Sequence, residues 1–142
     1  MKEVFREVEI QAPAERIWQM LTDFASYPEW NPFIRRISGQ PKEGTRLKVY
    51  IEPPGAKGRI FRPKVLKTDP NHEFRGFGRL LIPGLLDGDH IFTIEHIGGN
   101  RVRFVQREIF SGLLVFFLAH GLDTIIGLGF EQMYQALKLR AE

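Results

Sequence analysis

Residues Gly88 to Phe110 read GDHIFTIEHIGGNRVRFVQREIF, and the way this stretch folds back on itself decides the architecture. Two runs of alternating character, 88–97 and 101–110, flank Gly98-Gly99-Asn100. Glycine and asparagine accept positive φ at little cost, so the turn predicts a tight antiparallel hairpin. If Ile97 faces Arg101, every other pairing follows. Glu95 then faces Arg103, Thr93 faces Val105 and Ile91 faces Arg107, a mixed solvent face with an opposite-charge pair. The other face pairs His96 with Val102, Ile94 with Phe104, Phe92 with Gln106 and His90 with Glu108. It is mostly apolar, and its two polar pairs gather towards one end.

Upstream of the hairpin, candidate strands at 34–40, 45–52, 59–68 and 72–81 are separated by PKEG, PPGAKG, DPNH and PGLLDG, all rich in turn formers. At the start, Val4, Val8 and Ile10 share one parity and Glu7, Glu9 and Gln11 the other, the period of a half-buried strand, with Arg6 interrupting the apolar face. Pro13 ends that strand and suits the first turn of a helix carrying Ile17, Trp18 and Leu21. Pro28 and Pro32 then forbid a long helix, so short turns carry Tyr27, Trp30 and Phe33 inward. After Gly112 a single long helix runs to about Leu139. Six consecutive strands without crossover helices must pair antiparallel. With the first strand they predict an α+β fold: a seven-stranded sheet, two short helices between strands 1 and 2, and one terminal helix to cover the apolar face.

The chain has 142 residues, which suits one domain over 1–142. Its 43% hydrophobic and 26% charged residues are a globular composition. Twenty basic residues against seventeen acidic leave a formal charge of +3, without a basic run or an RNA-binding aromatic motif, so no nucleic-acid partner is expected. The absence of cysteine excludes disulfides, thiolate metal sites and thiol nucleophiles. The first residues read as a strand and not as a signal peptide, so a cytoplasmic location is expected. The apolar segment 112–130 approaches the length of a membrane span. His120, Asp123 and Thr124 at its centre argue for a buried helix instead, without stable membrane insertion.

For chemistry, His90, Gln106 and Glu108 support three readings: a satisfied structural pair, a polar end that orients a ligand, or an acid–base dyad. Tyr50 is a further weak catalytic candidate. His72, His96 and His120 are scattered and form no metal-ligand pattern, so neither metal nor cofactor is expected. Gly76-Phe77-Gly78 lacks the remainder of a dinucleotide fingerprint and reads as a close-packed or bent strand position. Twelve phenylalanines supply apolar lining. Trp30 and Phe33, then Phe92, Phe104 and Phe110 from the hairpin, and Phe117, Gly121, Ile125 and Leu128 from the helix are the expected cavity residues. Gly121, Gly127 and Gly129 weaken a helix by about 1 kcal/mol each, which implies that room matters there.

Ala12-Pro13-Ala14-Glu15-Arg16-Ile17-Trp18, Leu21-Thr22-Asp23-Phe24 and Tyr27-Pro28-Glu29-Trp30-Asn31-Pro32-Phe33 resemble the start of START-like proteins. More narrowly they resemble the polyketide cyclase/dehydrase and lipid transport branch, the SRPBCC superfamily. Leu86 to Phe92, Arg107 to Gly112 and Gly129 to Met133 extend the resemblance over the chain, while Tyr134 stands where that branch favours asparagine. The resemblance implies a helix-grip fold with a hydrophobic cavity between sheet and terminal helix. It also implies a small hydrophobic ligand such as a lipid or polyketide. A cyclase, aromatase or dehydratase working by acid–base groups is the alternative. An interaction module docking through 112–128 is a third reading, and the expected state is a monomer or weak homodimer.

Overall fold

The computed structural model describes residues 1–79 and 84–142; Leu80 and Leu81, the end of the candidate strand 72–81, lie outside them. The strands are β1 (Lys2–Ile10), β2 (Ile34–Ser38), β3 (Lys48–Ile51), β4 (Arg59–Phe61), β5 (Lys64–Asp69), β6 (Glu73–Arg79), β7 (Asp87–Gly98) and β8 (Arg101–Ser111). The helices are α1 (Ala14–Thr22), α2 (Tyr27–Trp30) and α3 (Val115–Ala141), with a 3-10 turn at Phe24–Ser26.

The α+β class, the curved antiparallel sheet and the long terminal helix stand as expected, but the strand count does not. Among the described residues, eight strands form two sheets, one in the order β1-β8-β7-β6-β5 and one in the order β2-β3-β4, in place of one sheet of seven. The expected strand 59–68 breaks at Arg62-Pro63 because proline has no N–H for a ladder and a fixed φ. The piece before the break pairs with β3, Val49 opposite Phe61. The piece after it pairs with β6, Val65 opposite Gly76. Near the break the two sheets stay laced together: Leu47 N–H donates to the Pro63 carbonyl at 2.8 Å and Val65 N–H to that of Thr45 at 2.9 Å.

The β7–β8 register follows the sequence pattern from His90–Glu108 through His96–Val102. Its last expected pair is replaced. Gly98, not Ile97, lies opposite Arg101, with an irregularity between His96 and Gly98; Gly98 adopts φ 129°, a conformation that leaves Ile97 as the extra residue of a bulge. On the outer face, Arg103 bonds Glu95 at 3.2 Å. Arg107 meets Glu3 at 3.0 Å. Ile91 and Val105 on this face are nevertheless buried, flanked in their rows by Arg75 and Arg107, and by Thr93 and Glu7. One row of the inner face runs Val4, Glu108, His90, Gly76, Val65 across all five strands.

The elbow between α1 and β2 is set by two buried polar groups. Tyr27 donates its hydroxyl to the Leu21 carbonyl at 2.6 Å, and burial pushes its phenol pKa upward. Asn31 Oδ1 accepts the N–H groups of Phe33 at 3.0 Å and Ile34 at 2.8 Å. This local turn gives both N–H groups a partner where the chain leaves α2 and enters β2.

Helix α3 buries mainly its second half: Gly127, Gly129, Phe130, Met133, Leu137 and Ala141, with Val115 at its start. A methyl group on Gly129 would land closer than 3.0 Å to the ring of Phe33, which is itself buried. One on Gly127 would meet only the guanidinium end of Arg6, a flexible and partly exposed group. Gly129→Ala is therefore expected to destabilise the protein by about 1–3 kcal/mol through overpacking. Gly127→Ala should be neutral or stabilising by up to about 1 kcal/mol through helix propensity. Urea unfolding of the two variants side by side checks the contrast.

Candidate functional site

Where the two sheets face each other they line a partly open apolar cavity of about 80 Å³. The small sheet contributes Ile34, Ile37, Leu47, Val49 and Ile51. The crossing segment supplies Phe61 and Pro63, and the main sheet supplies Phe74 and Phe92. The space itself comes from missing side chains. Gly76, Gly78 and Gly88 all line it, and Gly78 lies directly opposite Gly88 in the β6–β7 ladder. Beside them, His90 and Glu108 are the only ionisable groups in the wall among the described residues.

These two side chains occupy neighbouring inner positions of β7 and β8. His90 Nδ1 lies 2.8 Å from Glu108 Oε2. No hydrogen bond accompanies this contact, so Glu108 Oε2 has no hydrogen-bond partner within the protein, nor has His90 Nε2. The imidazole is held edge-on between Phe92, at a centroid distance of 4.6 Å, and Phe130, at 5.3 Å. Next along β8, Gln106 is fully buried. Its Nε2 reaches only the Met133 sulfur at 3.3 Å, and its Oε1 has no partner. Each buried polar group left unpaired costs about 1–3 kcal/mol. Three such atoms, His90 Nε2, Glu108 Oε2 and Gln106 Oε1, fall in one neighbourhood. Among the described residues, no three His, Asp or Glu side chains converge on a metal-sized point.

Of the cavity residues expected from sequence, Phe92 lines the wall beside His90 and Glu108. Phe33, Phe104, Gln106 and Phe110 are buried in the surrounding core. Trp30 is half-buried and packs on Tyr27 at 5.3 Å. Tyr50 is a correction: it alternates with Val49 and Ile51 on β3, so it points away from the cavity and lies beneath Arg36, 5.8 Å from its ring centroid. The four helix positions are also corrected. Phe117 (78% exposed), Gly121, Ile125 and Leu128 face solvent, because the inner face beyond His90 and Phe92 is covered by the small sheet and not by the first half of α3. The cavity accordingly lies between two sheets, with α3 reaching its border through Phe130. The glycine floor has a sequence signal in Gly76-Phe77-Gly78. With the β6–β7 register known, Gly76 and Gly78 share the parity of Phe74 and meet His90 and Gly88.

A sheet wrapped against a terminal helix, with an apolar chamber and a few polar groups inside, defines the class of helix-grip domains. The chain belongs to the polyketide cyclase/dehydrase and lipid transport family, whose description matches residues 1–142. No protein of curated function matches it significantly. Among solved structures it is similar to a START superfamily protein from Mycobacterium smegmatis (TM-score 0.78, 22% identity, 99% of this chain and 97% of that one). A Mesorhizobium loti protein gives TM-score 0.74 at 21% identity over 99% of both chains. An aromatase/cyclase from Streptomyces sp. R1128 gives TM-score 0.76 at 14% identity over 99% of this chain and 93% of that one. At these identities the structural likenesses establish the fold. Family and fold together fit binding of a hydrophobic ligand, and the aromatase/cyclase neighbour fits the enzymatic alternative.

Proposed function

We propose that residues 1–142 act as one START-like domain that binds a small hydrophobic molecule in this cavity, with the ligand's polar end against His90 and Glu108. The observation that carries the reading is the pairing of an apolar, glycine-floored wall with buried polar atoms that have no partner inside the protein. As it stands the space suits a few water molecules and falls short of the roughly 300 Å³ of common ligand sites. Loading therefore requires the walls to part. We also propose a cytoplasmic location and a monomer or weak homodimer, without nucleic acid as ligand; the described helices include none long and apolar enough to cross a membrane.

Native mass spectrometry of gently purified protein should show a bound small molecule, and titration with a long-chain alcohol should saturate. The absence of both a bound mass and saturable binding would overturn the proposal. His90→Phe keeps the ring packing but removes the polar atoms. It is expected to weaken the alcohol by about 10- to 100-fold and leave the alkane of equal length unchanged, measured by competition with a fluorescent apolar probe.

A second reading rests on the 2.8 Å contact itself. A carboxylate beside an imidazole can hold and return a proton during cyclisation or dehydration of a bound polyketide-like chain. On this reading Glu108→Gln lowers turnover by on the order of 10²- to 10⁴-fold while binding persists.

A further inference from the structure

The modest net charge hides a strong segregation. Residues 34–79 hold twelve Lys and Arg against four Asp and Glu, whereas the remaining chain holds eight basic and thirteen acidic residues. The two groups also differ in pairing. Outside 34–79, seven of the eight cations meet a carboxylate, as in Lys2–Asp123, Arg6–Glu131 and Arg101–Glu9. Within 34–79, only Lys67 and Arg75 do so among the described residues. Four of the unneutralised cations, Arg46, Arg62, Lys64 and Arg79, line one groove on the outside of β4, β5 and β6. Between them stand Ile60 and Leu66, each close to half exposed. Phe61 lines both this groove and the cavity, so the cationic face borders the chamber.

A second feature lies at the same end of the main sheet. Arg79 is paired with Asp87, and Asp87 with Ser111. Two strand spacings, about 10 Å, thus separate Arg79 from the residue that leads into α3. There Leu113, Phe116 and Phe117 are 75%, 85% and 78% exposed. Cations without partners beside large exposed apolar side chains match a surface that is anionic outside and oily beneath. We propose that this end of the molecule, the Arg46/Arg62/Lys64/Arg79 groove with the Leu113–Phe117 knob, docks peripherally on an anionic lipid bilayer. The apolar residues enter the headgroup region and the cations stay at the phosphates. An acidic protein or a nucleic acid would use the charges and leave the phenylalanines without a role.

The proposal goes beyond the cavity reading and fails separately from it, because vesicle binding is measured with no cargo. The test is co-sedimentation of the whole chain with vesicles of phosphatidylcholine alone or mixed with phosphatidylglycerol. Binding is expected to the mixed vesicles, to be at least tenfold weaker on the neutral ones, and to fall sharply near 1 M salt, where the Debye length is about 3 Å. Reversing Arg62 and Lys64 to Glu should cost on the order of a hundredfold or more. The same reversal at Arg101 and Arg103, on the neutralised side, should leave binding within a few-fold. Phe116→Ser with Phe117→Ser should weaken it more than tenfold, with circular dichroism confirming the fold of each variant. No binding to mixed vesicles, or equal losses from both charge reversals, overturns the proposal. So does binding insensitive to the phenylalanine changes and matched by an oligonucleotide, which would mean a soluble polyanion.

Discussion

Replacing Phe130 by alanine is expected to lower the free energy of unfolding by about 3–5 kcal/mol. The side chain has no solvent exposure. It meets Phe33 edge-on at 5.9 Å and His90 at 5.3 Å, so it is where α3, β2 and the polar floor of the cavity are joined. Truncation removes the apolar burial and leaves a void that Phe33, already crowded by Gly129, cannot easily fill. The void also adjoins the existing chamber, so the variant should accept bulkier apolar ligands than the parent while being far less stable. Urea unfolding with an unchanged m-value measures the first effect, and ligand-size competition measures the second. A loss below about 1 kcal/mol would mean that α3 does not seal the chamber as described.

Gly76→Val should have the opposite profile: ligand binding reduced by at least about a hundredfold, equivalent to some 2.7 kcal/mol at 25 °C, with stability kept or raised. A Cβ at position 76 would meet the Lys64 carbonyl oxygen at 3.7 Å and Pro63 Cβ at 3.8 Å, ordinary contact distances. The backbone therefore tolerates a side chain, and valine is the better strand residue. Its methyl groups would occupy the space over His90 that the glycine leaves open. Thermal unfolding together with titration by an apolar probe separates the effects. Undiminished binding in a stable Gly76→Val protein would place the ligand elsewhere.

Much of the fold was legible because its strongest signals are local. The hairpin turn set the register that brings His90 to Glu108, and the parity of β1 set its buried face. What escaped the sequence depended on contacts between distant segments. Pro63 marked a break, but a single proline does not say that the strands on either side belong to different sheets. The glycines of α3 announced a need for room without saying what occupies it. Gly127 makes way for Arg6 and Gly129 for Phe33, whereas Gly121 faces open solvent. The apolar run at 116–125 reads as core by composition alone. It stays exposed because the small sheet already covers that part of the main sheet. Alternation along β3 places Tyr50 opposite to Val49 and Ile51 but does not by itself say which face meets the cavity.

The pairing of β1 with β8 has a consequence for how the protein is made. Each β1 residue finds its partner roughly a hundred residues later in the chain. During synthesis at about 5–20 residues per second, β1 therefore waits some 5–20 s without a neighbour. An unpaired strand is an aggregation hazard, and charged side chains are the common defence. Glu3, Arg6, Glu7 and Glu9 serve that interval first. Only after β8 arrives do Glu3, Glu7 and Glu9 take up their arginine partners across the ladder, so the same residues that later form salt bridges first keep a nascent edge in solution.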